Sequence, residues 1–156
     1  MSNYLNNLFN LNGKVVLLTG SGGHLVSEMA RSCGMAGMNV VCTDFKLETA
    51  QKTMHQIIDN GGDAIAIQVD VTNKADHEKA LKLTIDSYGK LDYVLNGAGS
   101  NAPTPFFDIN VDEWNNILAV QLTGTMLSCQ VFGKYMIDQK YGSIINISSA
   151  SSVPPL

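Results

Sequence analysis

The chain has 156 residues, of which 45% are hydrophobic and 15% are charged, and its formal net charge is −4. This composition is typical of a single globular domain, here residues 1–156, with a core of its own, and it excludes a disordered chain. Because the sequence has no basic cluster and no apolar run of membrane-spanning length, neither nucleic acid nor a membrane is expected as a partner.

The first predicted element is a strand, Val15 to Leu18, whose apolar and β-branched residues suit burial on both faces. Thr19 and Gly20 end it, Gly22 and Gly23 follow, and from Leu25 the apolar residues recur at helical spacing. A strand, a glycine turn and a helix together aim backbone N–H groups at a phosphate. However, Leu25 stands at the third glycine of G-x-G-x-x-G. The turn is therefore either a dinucleotide site or an ordinary connection.

Four more strands follow, and each is separated from the one before it by a helix. The helices are predicted at about 47–60, 73–88 and 110–139, the last opened by a capping box of Asn110 and Glu113. Strands alternating with helices predict an α/β fold, a Rossmann-type doubly wound parallel sheet with strand order 3-2-1-4-5. The four predicted strands are Asn39 to Thr43, Ala64 to Val69, Asp92 to Asn96 and Ser143 to Ile147.

Polar and glycine-rich residues gather where the strands end, at the sheet edge where such folds bind ligands. Asp44 lies 24 residues after Gly20, near the spacing of an acid that hydrogen-bonds the two hydroxyls of a ribose. A carboxylate here repels a 2′-phosphate and so favours NAD over NADP. The alternative for Asp44 is a helix cap, and the alternative for Asp70 is that it caps the turn into the next helix.

The histidines and cysteines indicate no metal site, because none of them has ligand spacing. His24, at the glycine turn, is placed to contact a phosphate, whereas His55 and His77 are expected on helix surfaces. The three cysteines, Cys33, Cys42 and Cys129, are expected to be buried free thiols of a protein in the reducing cytoplasm. The N-terminal residues do not have the pattern of a signal peptide.

Four short motifs then carry a family resemblance: Thr19-Gly20, Asp70-Val71, Asn96-Gly97-Ala98-Gly99 and Ile147-Ser148-Ser149. In this combination the chain resembles the short-chain dehydrogenase/reductase family, from about Leu11 to its last residue. The runs GSGGHL and NGAGSNAP look most like the D-mannonate oxidoreductase (fructuronate reductase) type.

The resemblance implies an oxidoreductase that transfers hydride between a nicotinamide cofactor and a small carbonyl or alcohol substrate, in a homo-oligomer of two or four subunits. It implies that Ser149 hydrogen-bonds the substrate oxygen and that Gln121 stands where the family has a proton-relay asparagine. Asp44 would take the adenosine ribose, and Asp70 with Val71 the adenine. The remaining implied cofactor-binding residues are Gly20, Gly22, Gly23, His24, Leu25, Asn96, Gly97, Ala98 and Gly99.

The sequence departs from the family pattern in three places. His24 and Val26 replace two glycines of T-G-x-x-x-G-x-G, and Gln121 is one methylene longer than asparagine. The family's Tyr-x-x-x-Lys pair, which supplies the general acid/base, is absent from these 156 residues. We therefore expect the N-terminal part of an NAD-dependent oxidoreductase, with the sheet truncated before its later strands, which by itself binds nucleotide without turnover.

The alternative is a non-catalytic nucleotide-binding or assembly protein that ends at Leu156. A methyltransferase-like nucleotide binder on a similar fold is a third option, and the serine pair disfavours it.

Overall fold

The computed structural model describes residues 9–149, in which five parallel strands form one sheet. The sheet order is β3-β2-β1-β4-β5. Both the α/β class and the predicted strand order are thereby confirmed. The strands are β1 (Val15–Thr19), β2 (Asn39–Asp44), β3 (Asp63–Gln68), β4 (Tyr93–Asn96) and β5 (Ser143–Asn146).

Helices connect the strands and cover both faces of the sheet. The helix predicted at 110–139 is one helical run in three parts, α4 (Val111–Leu118), a π-helical segment (Ala119–Thr123) and α5 (Gly124–Asp138). The predicted Asn110 cap is confirmed, because the Glu113 N–H donates to Asn110 Oδ1 over 2.8 Å. The reciprocal bond of a capping box is not formed, since the Glu113 carboxylate accepts from Thr104 Oγ1 and not from the Asn110 N–H. The other helices are α1 (His24–Met35), α2 (Leu47–Asp59), α3 (Lys74–Tyr88) and a 3-10 turn (Phe106–Asp108).

Two hydrophobic cores lie on opposite faces of the sheet. Val16 and Leu18 of β1 face the core under α1 and α2, whereas Val15 and Leu17 face the core under α3 and α5. Side chains alternate along a strand, so that a strand buried on both faces is apolar at every position. The continuous apolar run of β1 therefore places this strand at the centre of the sheet.

The amino-terminal edge of the sheet is tied together by Asp92, a buried residue immediately before β4. Its Oδ2 accepts a hydrogen bond from the Val15 N–H over 2.8 Å. The same carboxylate pairs with Lys14 at 3.6 Å and with Lys90 at 3.1 Å. This arrangement holds the start of β1 to the start of β4. It lies opposite the carboxyl edge of the sheet, where a ligand is expected.

Candidate functional site

Three adjoining cavities form one cleft along the carboxyl edge of the sheet, with volumes of about 440, 450 and 390 Å³. Gly20, Asp44 and Ser100 line both the first and the second cavity. Gly97, Gln121 and Ile147 line both the second and the third. The cleft lies along the carboxyl edge of the sheet, where the sequence predicts a ligand site.

Most of the predicted site residues line this cleft. The exception is Gly22, which is partly buried and packs against Asp44 and Thr49. The residues that line it are Gly20, Gly23, His24, Leu25, Asp44, Asp70, Val71, Asn96, Gly97, Ala98, Gly99, Gln121 and Ser149.

The turn after β1 requires glycine at position 20 for two separate reasons. Gly20 has a φ of +75°, which side-chain-bearing residues rarely adopt. A Cβ there would lie 2.8 Å from the Cα of Ala98 and 2.9 Å from its nitrogen. The close approach exists because Thr19 Oγ1 accepts hydrogen bonds from the N–H groups of Gly97 and Ala98. The end of β1 and the loop after β4 are thus in direct contact.

The N–H groups of the glycine turn are already used inside the protein. Ser21 donates to the Thr43 carbonyl, Gly22 to Asp44 Oδ2 and Gly23 to the Gly20 carbonyl, at 2.9 to 3.0 Å. Within residues 9–149, by contrast, the first three N–H groups of α1, those of His24, Leu25 and Val26, have no acceptor. The N–H groups available to an anion are therefore those of the first turn of α1, rather than those of the glycines before it.

The two departures from the family's glycine pattern are accommodated differently. His24 is exposed at the cleft, so its side chain crowds nothing in the turn. Val26 is only 4% exposed, and it packs against Gly97. A Cβ on Gly97 would lie 2.5 Å from Val26 Cγ2, which means that the missing side chain at 97 makes the room that a valine at 26 needs.

The carboxylate of Asp44 lies at the end of β2 and borders two of the cavities. Besides Gly22, it accepts hydrogen bonds from the Lys46 N–H at 3.2 Å and from Thr49 Oγ1 at 2.9 Å. Lys46, not Asp44, is the N-cap of α2 and it makes no side-chain cap bond. Asp44 therefore holds the turn before the helix, at a position where it also faces the cleft.

Asp70 and Val71 form the wall of the first cavity on the β3 side. Asp70 Oδ1 accepts from the N–H and the hydroxyl of Thr72, at 2.9 and 2.7 Å. The cap of α3 is Asn73, whose Oδ1 accepts from the Ala75 N–H. Asp70 thus stabilises the turn before α3, as the alternative interpretation proposed. The same turn borders the first cavity.

His77 is fully buried beneath this wall, so the expectation of a surface position is wrong. Its Nε2 lies 2.8 Å from the Val71 carbonyl, to which it must donate, and its ring meets Phe132 edge-on at 5.7 Å. Nδ1 has no partner within the part of the chain that the structure describes. A neutral imidazole therefore holds the backbone of the cavity wall.

Burial lowers the pKa of His77 below its ordinary value of 6.5, against the opposing effects of the Val71 carbonyl, Asp76 and Asp70. The unfolded chain then binds the proton more tightly than the folded chain, so the contribution of His77 to stability is complete above pH 6.5 and decreases as the pH falls through and below that value.

We expect the free energy of unfolding, measured with urea, to decrease between about pH 7.5 and about pH 5.5. The decrease should be smaller in His77→Gln. His55→Gln, which changes an exposed histidine, should keep the wild-type profile. Identical pH profiles for the wild type and His77→Gln would contradict the assignment.

Asn96 at the end of β4 and Ser149 beyond β5 both line the third cavity. The side chain of Asn96 is buried, where its Nδ2 donates to Asn146 Oδ1 over 2.9 Å and its Oδ1 accepts from Ser128. Its amide therefore joins β4 to β5 and α5 and is not directed at a ligand. Ser149 lies beyond β5 and lines the third cavity together with Gln121.

Gln121 belongs to the π-helical segment, whose backbone departs from the regular helix beside the cleft. Its Nε2 donates to the Ser100 carbonyl over 2.7 Å and so connects this helix to the loop after β4. Such π-helical segments occur frequently at functional sites. The sequence offered no periodic signal for it, because the apolar pattern runs through 110–139 without interruption.

Several residues that line the cleft were not predicted from the sequence. Apart from Val26 in α1, they sit in loops or on the face of the helical run from α4 to α5 that borders the cleft in the folded protein. A glycine or an acid at a strand end is a recognisable signal, but a lone serine, asparagine or valine is not. They are Val26, Phe45, Val69, Thr72, Ser100, Asn101, Asn116, Val120, Thr125 and Ile147.

The cysteines within residues 9–149, Cys33, Cys42 and Cys129, are free thiols, and burial raises the pKa of Cys42 to about 12. Cys42 is buried as predicted, whereas the other two are only partly buried. In this part of the chain, no three of the His, Cys, Asp and Glu side chains are grouped to hold a metal ion, and no helix has the length and apolarity to cross a bilayer.

Compared with known proteins, residues 14–156 match the family described as short chain dehydrogenase. The chain is 32% identical over 144 residues to a 3-oxoacyl-[acyl-carrier-protein] reductase of Synechocystis sp. and 31% identical over 148 residues to a 5-keto-D-gluconate 5-reductase of Escherichia coli. The matches cover 92% and 95% of this chain, which spans 58% of the length of each relative.

A solved structure of an NAD⁺-bound xylitol dehydrogenase superimposes with a TM-score of 0.87 at 29% identity. The match covers 93% of this chain and 57% of the other.

Proposed function

The chain belongs to the short chain dehydrogenase family, and on that premise we propose that the protein is an NAD-dependent oxidoreductase. It transfers hydride between the nicotinamide and a carbonyl or alcohol substrate. The observation that carries the proposal is the cleft itself, in which the unpaired N–H groups of a helix start lie beside a carboxylate at the end of the neighbouring strand. These residues offer one group for a pyrophosphate and one for a ribose.

The residues present fit a dinucleotide along the whole cleft. Gly20 and Gly97 line the cleft with backbone atoms alone, and the first turn of α1 would bind the pyrophosphate. Asp44 would accept from the adenosine ribose, and the wall of Asp70 and Val71 would border the adenine. The nicotinamide, when bound, accepts or supplies the hydride.

Ser149 and Gln121 are the residues that we propose for the chemistry. Both line the third cavity, at the far end of the cleft from the wall of Asp70 and Val71. The Ser149 hydroxyl would donate to the substrate oxygen, on which negative charge grows as hydride arrives, and so stabilise the transition state more than the ground state. Gln121 would hold the proton-relay position while its amide keeps the Ser100 loop in place.

We propose a small polyhydroxylated substrate, a sugar acid or a polyol. Two of the similar proteins carry names of this kind, the 5-keto-D-gluconate 5-reductase and the xylitol dehydrogenase, whereas the 3-oxoacyl-[acyl-carrier-protein] reductase does not. The D-mannonate oxidoreductase type lies within the same substrate class, and we propose it on the motifs GSGGHL and NGAGSNAP alone.

A homo-oligomer and a cytoplasmic location are part of the proposal. One side of the helical run from α4 to α5 presents exposed apolar side chains that a second copy would cover: Val111, Trp114, Leu118, Leu122 and Met126. The three free thiols suit a reducing compartment.

Cofactor preference tests the proposal. We expect calorimetry to show tighter binding of NADH than of NADPH, because the Asp44 carboxylate repels a 2′-phosphate. In Asp44→Ala the ratio of the two dissociation constants should fall about tenfold, equivalent to about 1.4 kcal/mol. Asp59→Ala removes the same charge from the exposed end of α2 and should leave the ratio unchanged.

Equal or tighter binding of NADPH by the unmutated protein would contradict the cofactor assignment. Because these 156 residues lack the Tyr-x-x-x-Lys pair, we expect them to bind NADH without turnover of any alcohol or ketone, and measurable turnover would contradict that expectation.

A further inference from the structure

Helix α2 directs two threonine hydroxyls at the nucleotide-binding edge of β1 and β2. Thr49 Oγ1 lies 2.9 Å from Asp44 Oδ1 and 2.7 Å from the Lys46 carbonyl, so its one proton is shared between these two acceptors. One turn later, Thr53 Oγ1 donates to the Ser21 carbonyl over 2.8 Å. These two residues are at (i, i+4) and therefore share one face of the helix. The same helix face thus contacts the cofactor-selective carboxylate and the backbone of the glycine turn.

Thr49 completes a set of three donors that fixes the carboxylate of Asp44. The Gly22 N–H binds Oδ2, whereas the Lys46 N–H and the Thr49 hydroxyl bind Oδ1. The terminal torsion of an aspartate has broad energy wells, so the orientation of the carboxylate depends on such partners. A carboxylate accepts about four hydrogen bonds, which leaves about one acceptor direction for a ligand hydroxyl.

Packing places Thr49 against the glycine turn as well. A Cβ on Gly22 would lie 2.4 Å from the Cβ and 2.6 Å from the Oγ1 of Thr49. The space that a side chain at position 22 would occupy is therefore filled by Thr49. Because Gly22 in turn donates to Asp44, the threonine, the glycine and the aspartate form one closed contact.

We propose that Thr49 is a positioning residue that sets the selectivity between NAD(H) and NADP(H). Its hydroxyl holds the Asp44 carboxylate in the orientation that accepts from the ribose and repels a 2′-phosphate. Thr53 has a different role, because it fixes the Ser21 carbonyl of the turn and touches no group that distinguishes the two cofactors. This inference rests on the proposed function.

The two roles predict different effects of removing each hydroxyl. Thr49→Val keeps the shape that packs on Gly22 and lacks the donor, so the ratio of the NADPH to the NADH dissociation constant should fall at least about fivefold, since hydrogen bonds to charged groups are strong. Thr49→Ser keeps the donor and should stay within about twofold of the wild-type ratio. Thr53→Val should weaken both cofactors by a similar factor and leave the ratio unchanged.

The matched control is Thr84→Val, which removes a buried threonine hydroxyl that donates to the Ala80 carbonyl of α3. Calorimetric titration of each variant with NADH and with NADPH, together with its unfolding in urea, separates selectivity from stability. Thr84→Val should change stability alone.

An unchanged ratio in Thr49→Val overturns the inference while leaving the proposed function intact. An equal loss of selectivity in Thr49→Ser and Thr49→Val also overturns it, because it would assign the effect to the methyl group. If the wild-type protein binds neither cofactor, the proposed function fails and this inference fails with it.

Discussion

Replacing Gly20 with alanine is expected to lower the free energy of unfolding by about 3 kcal/mol and to abolish measurable nucleotide binding. An alanine with a φ of +75° costs about 1 to 2 kcal/mol by itself. The new Cβ would also lie 2.8 Å from the Ala98 Cα, a backbone atom that moves only with the whole loop after β4. That loop borders all three cavities, so the displacement reaches the cleft.

Gly89→Ala is the control for backbone strain. Gly89 ends α3 with a φ of +74°, and a Cβ there meets no atom within 4 Å. Urea unfolding of both variants therefore separates the strain, which they share, from the contact with Ala98, which only Gly20→Ala makes. Equal losses of stability in the two variants would show that the loop after β4 moves away from the new Cβ without lowering the free energy of unfolding.

Replacing Asp92 with alanine is expected to lower the free energy of unfolding by about 3 kcal/mol, because it leaves the buried Val15 N–H without an acceptor. Lys14 and Lys90 also lose their partner, but these side chains are 31% and 43% exposed and remain hydrated. Most of the loss therefore comes from the backbone bond at the start of β1.

Two further variants test this attribution by urea unfolding. Asp92→Asn keeps an oxygen that accepts from the Val15 N–H, so about half of the loss or less is expected. Asp86→Ala breaks an exposed ion pair with Lys82 and should change stability by less than about 0.5 kcal/mol. If Asp92→Ala were no more destabilising than Asp86→Ala, the tie between β1 and β4 would be energetically unimportant.

Local patterns were sufficient to predict the architecture of this protein. The alternation of apolar strands and amphipathic helices led to the parallel sheet and to its order. The cap at Asn110 was predicted correctly, and the cap of α3 was narrowed to Thr72 or Asn73, of which the structure has Asn73, because a cap depends on residues only two or three positions apart. Strand bounds differed by one residue: β2 continues through Asp44, β3 begins at Asp63, β4 begins at Tyr93 and β5 ends at Asn146.

The same reasoning located the edge of the candidate site, because parallel strands present all their carboxyl ends together. Glycines and acidic residues at strand ends can be recognised from the sequence alone. The sequence did not identify the residues of the helical run that line the cleft, such as Asn116 and Val120. The sequence of this helix does not indicate which of its faces lies towards the loop after β4.

By itself the sequence determined the fold class, the strand order and the edge of the sheet along which the cleft lies, since these follow from periodicity and turn chemistry within short stretches. Only the tertiary structure decided the partners of particular groups. The Val15 N–H and Asp92 are 77 residues apart, and the Gly97 N–H and Thr19 are 78 apart. Such pairs form when strand register and helix packing bring distant residues together. The buried position of His77 and the fit of Val26 against Gly97 therefore emerged only from the packed molecule.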